Sequence, residues 1–294
     1  MSSTFCSATY TTLPKGKAVL MAVYNPAQTR TSVMRVKVPN GNAQVYDVRG
    51  NRITTDVVCA NITDVTDCDV FFTTRFNGSS LNYFYLEPAF NTRELIMTNL
   101  TFNKPYRIND EQFIQASSYS DYQLIVTKNG VNHTFNFSLS YRQYFSNEND
   151  WCGGMSGAYI FRPTSDQSSP YSQFTSASIV IGQNLLQIRI IGSATTTNMR
   201  IYNDISKGIE IETFVNSLPY NSGSGVEVIL VVNSPNITNN KTFYTDSMGM
   251  EMQKRIINYR PSWKLNPTQY VSGNYYPVTA AIYIKDVNSG VMMG

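Results

Sequence analysis

Five carboxylates are the candidate acid and base groups of this 294-residue chain. A carboxyl group in acid–base catalysis has its pKa tuned by its surroundings, usually by removal from water. Each of the five stands beside turn residues, which favours a solvated loop carboxylate over a catalytic one. The five residues are Asp64, Asp67, Asp69, Asp246 and Glu251.

Nucleophilic and metal chemistry lack the residues that they require. The single histidine, His133, lies in a predicted hairpin, so a Ser or Cys triad has no base and a histidine-rich zinc site has too few ligands. There is no G-x-S-x-G nucleophile turn, and Gly153-Gly154 forms no GxGxxG phosphate loop. We therefore predict no catalytic residue and no metal ligand in this chain.

The four cysteines are Cys6, Cys59, Cys68 and Cys152, and their spacing matches no zinc motif. A bridge between Cys59 and Cys68 is favoured, because it would close a short polar loop. Buried free thiols in a reducing compartment are the alternative, since the N-terminal residues show no signal-peptide pattern that would assign the compartment.

Asn-X-Ser/Thr sequons would suit a secreted or lysosomal chain. They begin at Asn61, Asn77, Asn99, Asn132, Asn136, Asn236 and Asn240. Because Asn, Ser and Thr are abundant, about five or six sequons would arise at random, so their number is weak evidence.

Composition favours an all-β chain. Charged residues make up 15% and aromatic residues 13% of the sequence, and Thr, Val, Ile and Tyr are frequent. The net charge of +3 leaves no nucleic-acid footprint. The longest apolar stretch, Ala18 to Tyr24, is shorter than the roughly 18 to 20 residues of a membrane span. Neither nucleic acid nor membrane is predicted as a partner.

Predicted strands separated by turn residues fall into two groups. The chain becomes polar and contains a proline around Asn103 to Arg107, so we place a boundary near residue 104, between a β-sandwich at 1–104 and a larger one at 105–294. In the second, Lys128-Asn129-Gly130 predicts a tight hairpin turn. Strands are predicted at 17–24, 31–38, 43–47, 53–59, 70–76, 81–87, 94–102, 122–127, 134–141, 174–181, 185–191, 199–203, 209–216 and 226–232.

The stretch from Phe243 to Pro277 is rich in aromatic, turn and charged residues. Its three prolines and two glycines predict short strands and ordered loops rather than a long helix. On residue types alone, Asp246-Ser247-Met248-Gly249 is interpreted as a hairpin turn. The Tyr and Trp side chains of the stretch are interpreted as core or interface anchors.

Seven short motifs give the chain a resemblance to a known family. They are VYNP (23–26), DVRG (47–50), SGAYIFRP (156–163), FYTD (243–246), YRPSWKLN (259–266), GNYYPV (273–278) and IYIKD (282–286). In this order they resemble the later, β-rich part of lysosomal-type α-mannosidases, glycoside hydrolase family 38. The resemblance spans nearly the whole chain and is strongest from Ser156 onward.

The resemblance implies a small antiparallel β-sandwich followed by a large β-supersandwich of the galactose-mutarotase-like type, incomplete at its C-terminus. It implies that the full-length enzyme, lysosomal or secreted, hydrolyses terminal α-linked mannose from glycans with retention. The nucleophile and zinc ligands would lie in an N-terminal catalytic domain absent from this chain. The implied partners are α-mannosyl glycans and that N-terminal domain or chain, and this chain alone is expected to be inactive and to bind no zinc.

The resemblance also implies site residues. The Tyr of the SGAY motif, Tyr159 here, would hydrogen-bond the sugar, with an ordinary buried strand Tyr as the alternative. Arg162, Asn274 and Tyr275 are candidate site or domain-junction residues. Tyr259 and Trp263 are expected to pack against the catalytic domain. A function of a different class, a free-standing carbohydrate-binding or adhesive β-sandwich without hydrolase activity, is the second hypothesis.

Overall fold

The computed structural model describes residues 16–38, 43–59, 68–89, 95–148, 155–157, 161–204, 207–218 and 225–294. The regular secondary structure within these ranges consists of β-strands alone, so the all-β prediction is confirmed. None of these residues forms a helix of the length and apolar character needed to cross a bilayer. The galactose-mutarotase-like type of the larger sandwich and the boundary near residue 104 stay predictions.

The first strands form two sheets that share one apolar core. The seven strands are β1 (Val19–Asn25), β2 (Arg30–Val38), β3 (Ala43–Asp47), β4 (Arg52–Ile53), β5 (Thr55–Cys59), β6 (Cys68–Phe76) and β7 (Ser80–Pro88). One sheet has the order β1-β7-β3-β4 and the other β2-β6-β5. Along β7, Asn82, Phe84 and Leu86 are buried while Leu81, Tyr83 and Tyr85 are exposed, as the two-residue period of a strand requires.

The middle of the chain forms two larger sheets. Its strands are β8 (Thr98–Asn99), β9 (Tyr106–Arg107), β10 (Gln112–Ala116), β11 (Asp121–Lys128), β12 (Val131–Phe145), β13 (Ser169–Ser172), β14 (Phe174–Ile181), β15 (Leu185–Gly192), β16 (Thr195–Tyr202), β17 (Ile209–Val215) and β18 (Val226–Asn233). One sheet runs β13-β12-β11-β10-β9, with β18 also paired to β12, and the other runs β17-β16-β15-β14-β8.

The last sheet combines the two strands of the 243–277 stretch with two strands that follow it. They are β19 (Thr242–Ser247), β20 (Glu251–Ile256), β21 (Ile282–Lys285) and β22 (Gly290–Met293), in the order β20-β19-β21-β22. Met248 and Gly249 have positive φ values of 52° and 70° in the β19–β20 connection, which confirms the predicted hairpin turn.

Strands β15 and β16 bury side chains on both of their faces. On one face, Leu186, Ile188, Met199 and Ile201 join the core beneath β10–β12. On the other face, Leu185 and Tyr202 pack with residues of the first strands. These residues are Val33, Val58 and Phe71. The sheet that contains β15 and β16 therefore lies between two layers, as the near-continuous burial of β15 indicates.

Two local predictions are confirmed. Asn129 and Gly130 have φ values of 53° and 75° between the paired residues Lys128 and Val131, which is the conformation of a type I′ hairpin turn. A disulfide joins Cys59 to Cys68, which are directly opposed in β5 and β6, so the free-thiol alternative is wrong for this pair.

Some predicted strands differ from the observed ones. Of the strand predicted at 94–102, the described residues place only Thr98–Asn99 in a strand, because Leu100 turns into the core while its N–H bonds to Ala177. The strand predicted at 53–59 is divided into β4 and β5. Strands β10 and β13 were not predicted, because both are short and partly polar.

Removing the disulfide should lower stability through the unfolded state. We expect the double variant Cys59→Ala/Cys68→Ala to lose about 2–3 kcal/mol of unfolding free energy, since the bridge closes a sequence separation of 9 residues. Urea unfolding of both proteins without reductant measures the difference. With reductant the two curves should approach each other, and equal midpoints without reductant would contradict the prediction.

Candidate functional site

Arg162 is held in place through its backbone. Its carbonyl accepts hydrogen bonds from the Ser156 hydroxyl at 2.5 Å and from the Asn147 N–H at 2.9 Å. Its own N–H donates to the Ser156 oxygen at 3.0 Å. Among the described residues the guanidinium makes no hydrogen bond or ion pair, so this side chain is available to an outside group.

Side chains of the loop at 270–277 form hydrogen bonds with the backbone of Phe161, the residue before Arg162. The Phe161 N–H donates to the Tyr275 hydroxyl at 2.9 Å, and the Ser272 hydroxyl donates to the Phe161 carbonyl at 2.5 Å. Both polar groups of the Phe161 backbone are therefore bonded to side chains of one loop. We call this arrangement, formed by Phe161, Ser272 and Tyr275, the Phe161 clamp.

The side chain of Asn274 stabilises the same loop through hydrogen bonds. Its Oδ1 accepts from the Asn258 N–H at 2.9 Å, and its Nδ2 donates to the Asn258 Oδ1 at 2.7 Å and to the Tyr270 carbonyl at 2.8 Å. Asn258 has a φ of 57°, a conformation that Asn tolerates better than most residues. Asn274 therefore uses most of its hydrogen-bonding capacity inside the chain, which is a structural role.

Tyr276 points inward between two cations. The guanidinium groups of Arg255 and Arg260 lie 4.6 Å and 5.0 Å from its ring centre, and the Phe243 ring meets it edge-on at 5.5 Å. Such contacts are favourable because the π face carries partial negative charge. The Tyr276 hydroxyl is buried and has no hydrogen-bond partner among the described residues.

A cavity of about 460 Å³ opens beside the Phe161 clamp. Phe161 and Met155 supply apolar surface, and Ser156, Glu148 and Glu227 are among its polar lining residues. The wall is therefore about equally polar and apolar.

Asp246 stabilises the last sheet by accepting hydrogen bonds from backbone N–H groups. Its carboxylate accepts from the N–H groups of Thr279 at 2.7 Å, Gly249 at 2.8 Å and Ala281 at 3.2 Å. Hydrogen bonds from the backbone N–H groups, that of Ala280 first, lower the pKa of Asp246 to about 2. With 6% of its surface exposed, Asp246 is a buried structural acceptor, and its interpretation as a solvated loop carboxylate is wrong.

A second ionic cluster lies between β2 and β6 and the sheet of β15–β17. Arg200, whose side chain is 1% exposed, pairs with Glu210 at 2.5 Å and Glu212 at 2.6 Å. Arg35 pairs with Asp69 at 2.8 Å and with Glu212 at 3.0 Å. We call these five residues the ionic cluster.

The two arginines of the ionic cluster lower the pKa of Glu212, its central acid. Burial alone would raise the pKa of Glu212, but hydrogen bonds from Arg35 and Arg200 outweigh burial and lower that pKa to about 2. Asp69 belongs to β6 and is ion-paired there, so its interpretation as a solvated loop carboxylate is also wrong. The physical reason is its pairing with Arg35, 34 residues earlier in the chain.

The other sequence candidates are distributed away from these clusters. Glu251 is exposed and bonds to Gln253, which confirms a solvated group. Tyr159, Asp64 and Asp67 lie outside the described residues. His133 is exposed on β12, and no group of three or more His, Cys, Asp or Glu within the described ranges could hold a metal ion. These residues do not fit a zinc site.

Comparison with known proteins decides the family. The model of the glycosyl hydrolases family 38 C-terminal domain matches residues 122–293. The chain belongs to this family. The prediction from the seven motifs is therefore confirmed. The family 38 match includes the Phe161 clamp, the 460 Å³ cavity, Asp246 and most of the ionic cluster.

Curated relatives extend the match toward the N-terminus. The lysosomal alpha-mannosidase of Dictyostelium discoideum is 31% identical over 99% of this chain and 31% of its own length. The alpha-mannosidase of Canavalia ensiformis is 29% identical over 97% of this chain and 31% of its own length. The human lysosomal alpha-mannosidase is 40% identical over 45% of this chain and 13% of its own length. The family 38 chain thus spans about a third of the first two relatives.

Sequence reasoning missed two residues of the family 38 site. Ser156 and Phe161 were not singled out, although both lie within SGAYIFRP, whereas Ser272 belonged to the candidate loop from Ser272 to Tyr276. Their motif membership was the available signal. Their bonding was not available, because Ser272 and Phe161 are 111 residues apart in the chain.

Loss of the buried cation should destabilise the fold strongly. We expect Arg200→Met to cost about 3–5 kcal/mol of unfolding free energy, because it leaves the Glu210 and Glu212 carboxylates without their buried partner. Chemical denaturation measures the loss. The control is Arg107→Met, whose exposed pair with Asp110 should contribute less than about 1 kcal/mol. Equal losses in the two variants would contradict the prediction.

The lowered pKa of Asp246 predicts that the thermal stability of the chain depends on pH. Its pKa falls from 3.8 to about 2 on folding, so the stabilisation is complete above pH 3.8 and is lost as the pH falls toward 2. Asp246→Asn should therefore melt at a lower temperature than the wild type above pH 4, and the gap should narrow below it. Melting temperatures across this pH range are the measurement. Glu251→Gln, on the same hairpin, should show no gap, and a gap for Asp246→Asn that does not change with pH would refute the ionic cause.

Proposed function

We propose that this chain is the non-catalytic β-domain part of an α-mannosidase, which in its full-length form hydrolyses terminal α-linked mannose from glycans with retention. The observation that carries the proposal is the family 38 C-terminal match at 122–293, together with relatives that carry the name alpha-mannosidase and are about three times as long. Retention requires two carboxyl groups about 5–5.5 Å apart, and we assign that pair to the N-terminal part of the enzyme.

The charges of the described carboxylates support this division of roles. The ionic cluster holds Asp69, Glu210 and Glu212 against two arginines, and Asp246 is occupied by backbone N–H groups. The pKa values of Glu212 and Asp246 are lowered to about 2 by these hydrogen bonds, so both groups are poor proton donors to a leaving group near neutral pH. We therefore assign the nucleophile, the acid–base group and the zinc ligands of the proposed enzyme to residues outside this chain.

The surface around the last sheet supports a protein partner. Trp263 is 72% exposed, Tyr259 51% and Tyr270 52%, while Met248 and Met250 are 83% and 88% exposed. Several large apolar side chains exposed within one stretch of the chain support an interaction site there. We assign this surface to contact with the N-terminal catalytic domain or chain of the same enzyme, as proposed for Tyr259 and Trp263 from the sequence.

The Phe161 clamp supports a role in substrate binding. Phe161 is two residues from Tyr159 in the sequence, and the Phe161 backbone is hydrogen-bonded to Ser272 and Tyr275. A phenol suits a sugar hydroxyl because it both donates and accepts. Under this proposal Tyr159 contacts the sugar, Tyr275 and Asn274 position it, and Arg162 faces the domain junction.

The disulfide supports the proposed compartment. Disulfides persist in oxidising compartments, and Cys59–Cys68 is buried and intact in the fold. Together with relatives named lysosomal, it supports a lysosomal or secreted parent enzyme.

Complementation tests the proposal. We expect no hydrolysis of an aryl-α-mannoside by this chain alone, and activity when it is co-folded with the N-terminal catalytic segment of the same enzyme in the presence of zinc. Activity of the chain alone would overturn the proposal. A stable complex without activity on any α-mannoside would favour the carbohydrate-binding or adhesive alternative.

Variants of the active mixture test the assigned residues. Tyr159→Phe should lower kcat/KM by about 2- to 10-fold, the value of one neutral hydrogen bond. Tyr275→Phe should lower it by a similar or smaller factor, because it loosens the clamp without touching the sugar. Tyr83→Phe, on the exposed face of β7, is the matched control and should leave kcat/KM unchanged. An unchanged kcat/KM for Tyr159→Phe would remove Tyr159 from the site.

A further inference from the structure

A separate cavity of about 300 Å³ lies between the sheet of β2, β5 and β6 and the sheet of β15–β17. Arg35 and Lys37 of β2 and Asp69 of β6 line one side of it. Phe214 of β17 also lines it and is 44% exposed, so the cavity is open to solvent. We call it the junction cavity, and it shares no lining residue with the 460 Å³ cavity beside the Phe161 clamp. Its other side includes Gln187, Arg189, Thr196, Asn198, Arg200 and Glu212.

Three buried polar atoms of the lining residues have no hydrogen-bond partner among the described residues. They are the Arg35 Nε, the Asp69 Oδ1 and the Asn198 Oδ1. Buried polar atoms are ordinarily hydrogen-bonded, because leaving such a bond unmade costs free energy. The described part of the chain contains five such side-chain atoms, and three of them belong to this one cavity. The junction cavity is therefore the place where a bound molecule would complete the most hydrogen bonds.

The ionic cluster holds two of these atoms in place. The Arg35 Nη1 donates to the Glu212 Oε1 at 3.0 Å, and the Arg35 Nη2 donates to the Asp69 Oδ2 at 2.8 Å. The Arg35 Nε and the Asp69 Oδ1 therefore belong to side chains whose other polar atoms are already bonded. Arg200 is ordered in the same way, because its Nε donates to the Gln187 Oε1 at 2.8 Å. Groups that are ordered beforehand lose little conformational entropy when a ligand binds.

Cations outnumber carboxylates around the junction cavity, which favours an anion. Glu210 does not line the cavity but pairs with Arg200, and counting it still leaves the cations in excess. The lining cations are Arg35, Lys37, Arg189 and Arg200, and the lining carboxylates are Asp69 and Glu212.

The three atoms without a partner indicate which anion fits. Arg35 Nε is a donor and needs an acceptor, whereas the two oxygens of Asp69 and Asn198 need donors. A phosphate ion presents mainly acceptor oxygens, but a sugar with one carboxylate presents several hydroxyls that donate. A volume of about 300 Å³ is at the small end of ligand sites, which suits a single sugar ring.

We propose that the junction cavity binds a monosaccharide acid, whose hydroxyls donate to Asp69 and Asn198 while its carboxylate accepts from Arg35. This site is separate from the surfaces used in the proposed function, and it does not require mannosidase activity.

Calorimetric titration of the 294-residue chain tests the proposal. Reductant is omitted so that the disulfide of Cys59, which lines the cavity, stays intact. The probes are glucuronate, glucose, acetate and inorganic phosphate. We expect one glucuronate to bind per chain, and each of the other three probes to bind about tenfold more weakly or less, because each lacks the charge or the hydroxyl donors. Absence of glucuronate binding at millimolar concentration overturns the proposal, and so does equal affinity for any of the other three probes.

Variants of Asn198 locate the bound sugar acid without disturbing the ionic cluster. Asn198→Ala should weaken glucuronate binding about 5- to 10-fold, the value of one neutral hydrogen bond. Asn198→Asp keeps an acceptor but adds a negative charge, so it should weaken binding further at pH 7. Asn132→Ala, on β12 and outside the cavity, is the matched control and should bind glucuronate as the wild type does.

Thermal melts of each variant with and without glucuronate separate binding from stability. The shift in melting temperature caused by glucuronate should shrink in both Asn198 variants, whatever their melting temperature without it. Unchanged affinity and an unchanged shift in Asn198→Ala would overturn the proposal. The assay contains no mannoside, so its failure and the failure of the proposed function are distinguishable.

Discussion

The ionic cluster is the interaction on which the assembly of the sheets depends. Arg200 emerges from the face of β16 opposite Met199 and Ile201, so one strand sends apolar side chains to the large core and a guanidinium to the first strands. A shift of β16 by one residue would turn Met199 or Ile201 toward Asp69 and bury Arg200 in the apolar core. The ion pairs therefore specify the register with which the layers meet, even though such pairs contribute little net stability compared with apolar packing.

A second polar contact reinforces this junction. The buried carboxylate of Asp56, on β5, accepts hydrogen bonds from the backbone N–H groups of Gln183 at 3.0 Å and Asn184 at 2.5 Å. It thereby holds the β14–β15 connection on the first strands. The neighbouring Gly182 leaves space for this carboxylate, since a Cβ there would lie 2.3 Å from the Asp56 Oδ2. Together with the ionic cluster, this contact fixes the position of the sheet whose other face forms the large core.

The parts of the fold that could be predicted were those determined by the preferences of residues close together in the sequence. The strand Phe174–Ile181 was predicted to the residue, because its β-branched side chains lie between turn residues, and the Asn129-Gly130 turn follows from the tolerance of these residues for positive φ. The fates of Asp69 and Asp246 were not predictable in this way. Arg35 lies 34 residues from Asp69, and Thr279 lies 33 residues from Asp246. Of these partners only the Gly249 N–H of Asp246 belongs to the local turn, so turn chemistry carries no information about the distant ones. The same holds for Tyr275, which was singled out by motif but whose bond to Phe161 spans 114 residues.

The aromatic side chains between β20 and β21 divide into an inward-facing class and an exposed class. Tyr276 turns inward and is held between Arg255 and Arg260, whereas Trp263, thirteen residues earlier, is 72% exposed. The loop between them is not loose, because Asn274 ties it to Asn258 and Tyr270. An aromatic group on a braced loop loses little conformational entropy when a partner covers it, and this is the property that makes such groups strong interface anchors. The hydrogen bonds of Asn274 and the ring contacts of Tyr276 thus order the loop that carries the exposed Trp263.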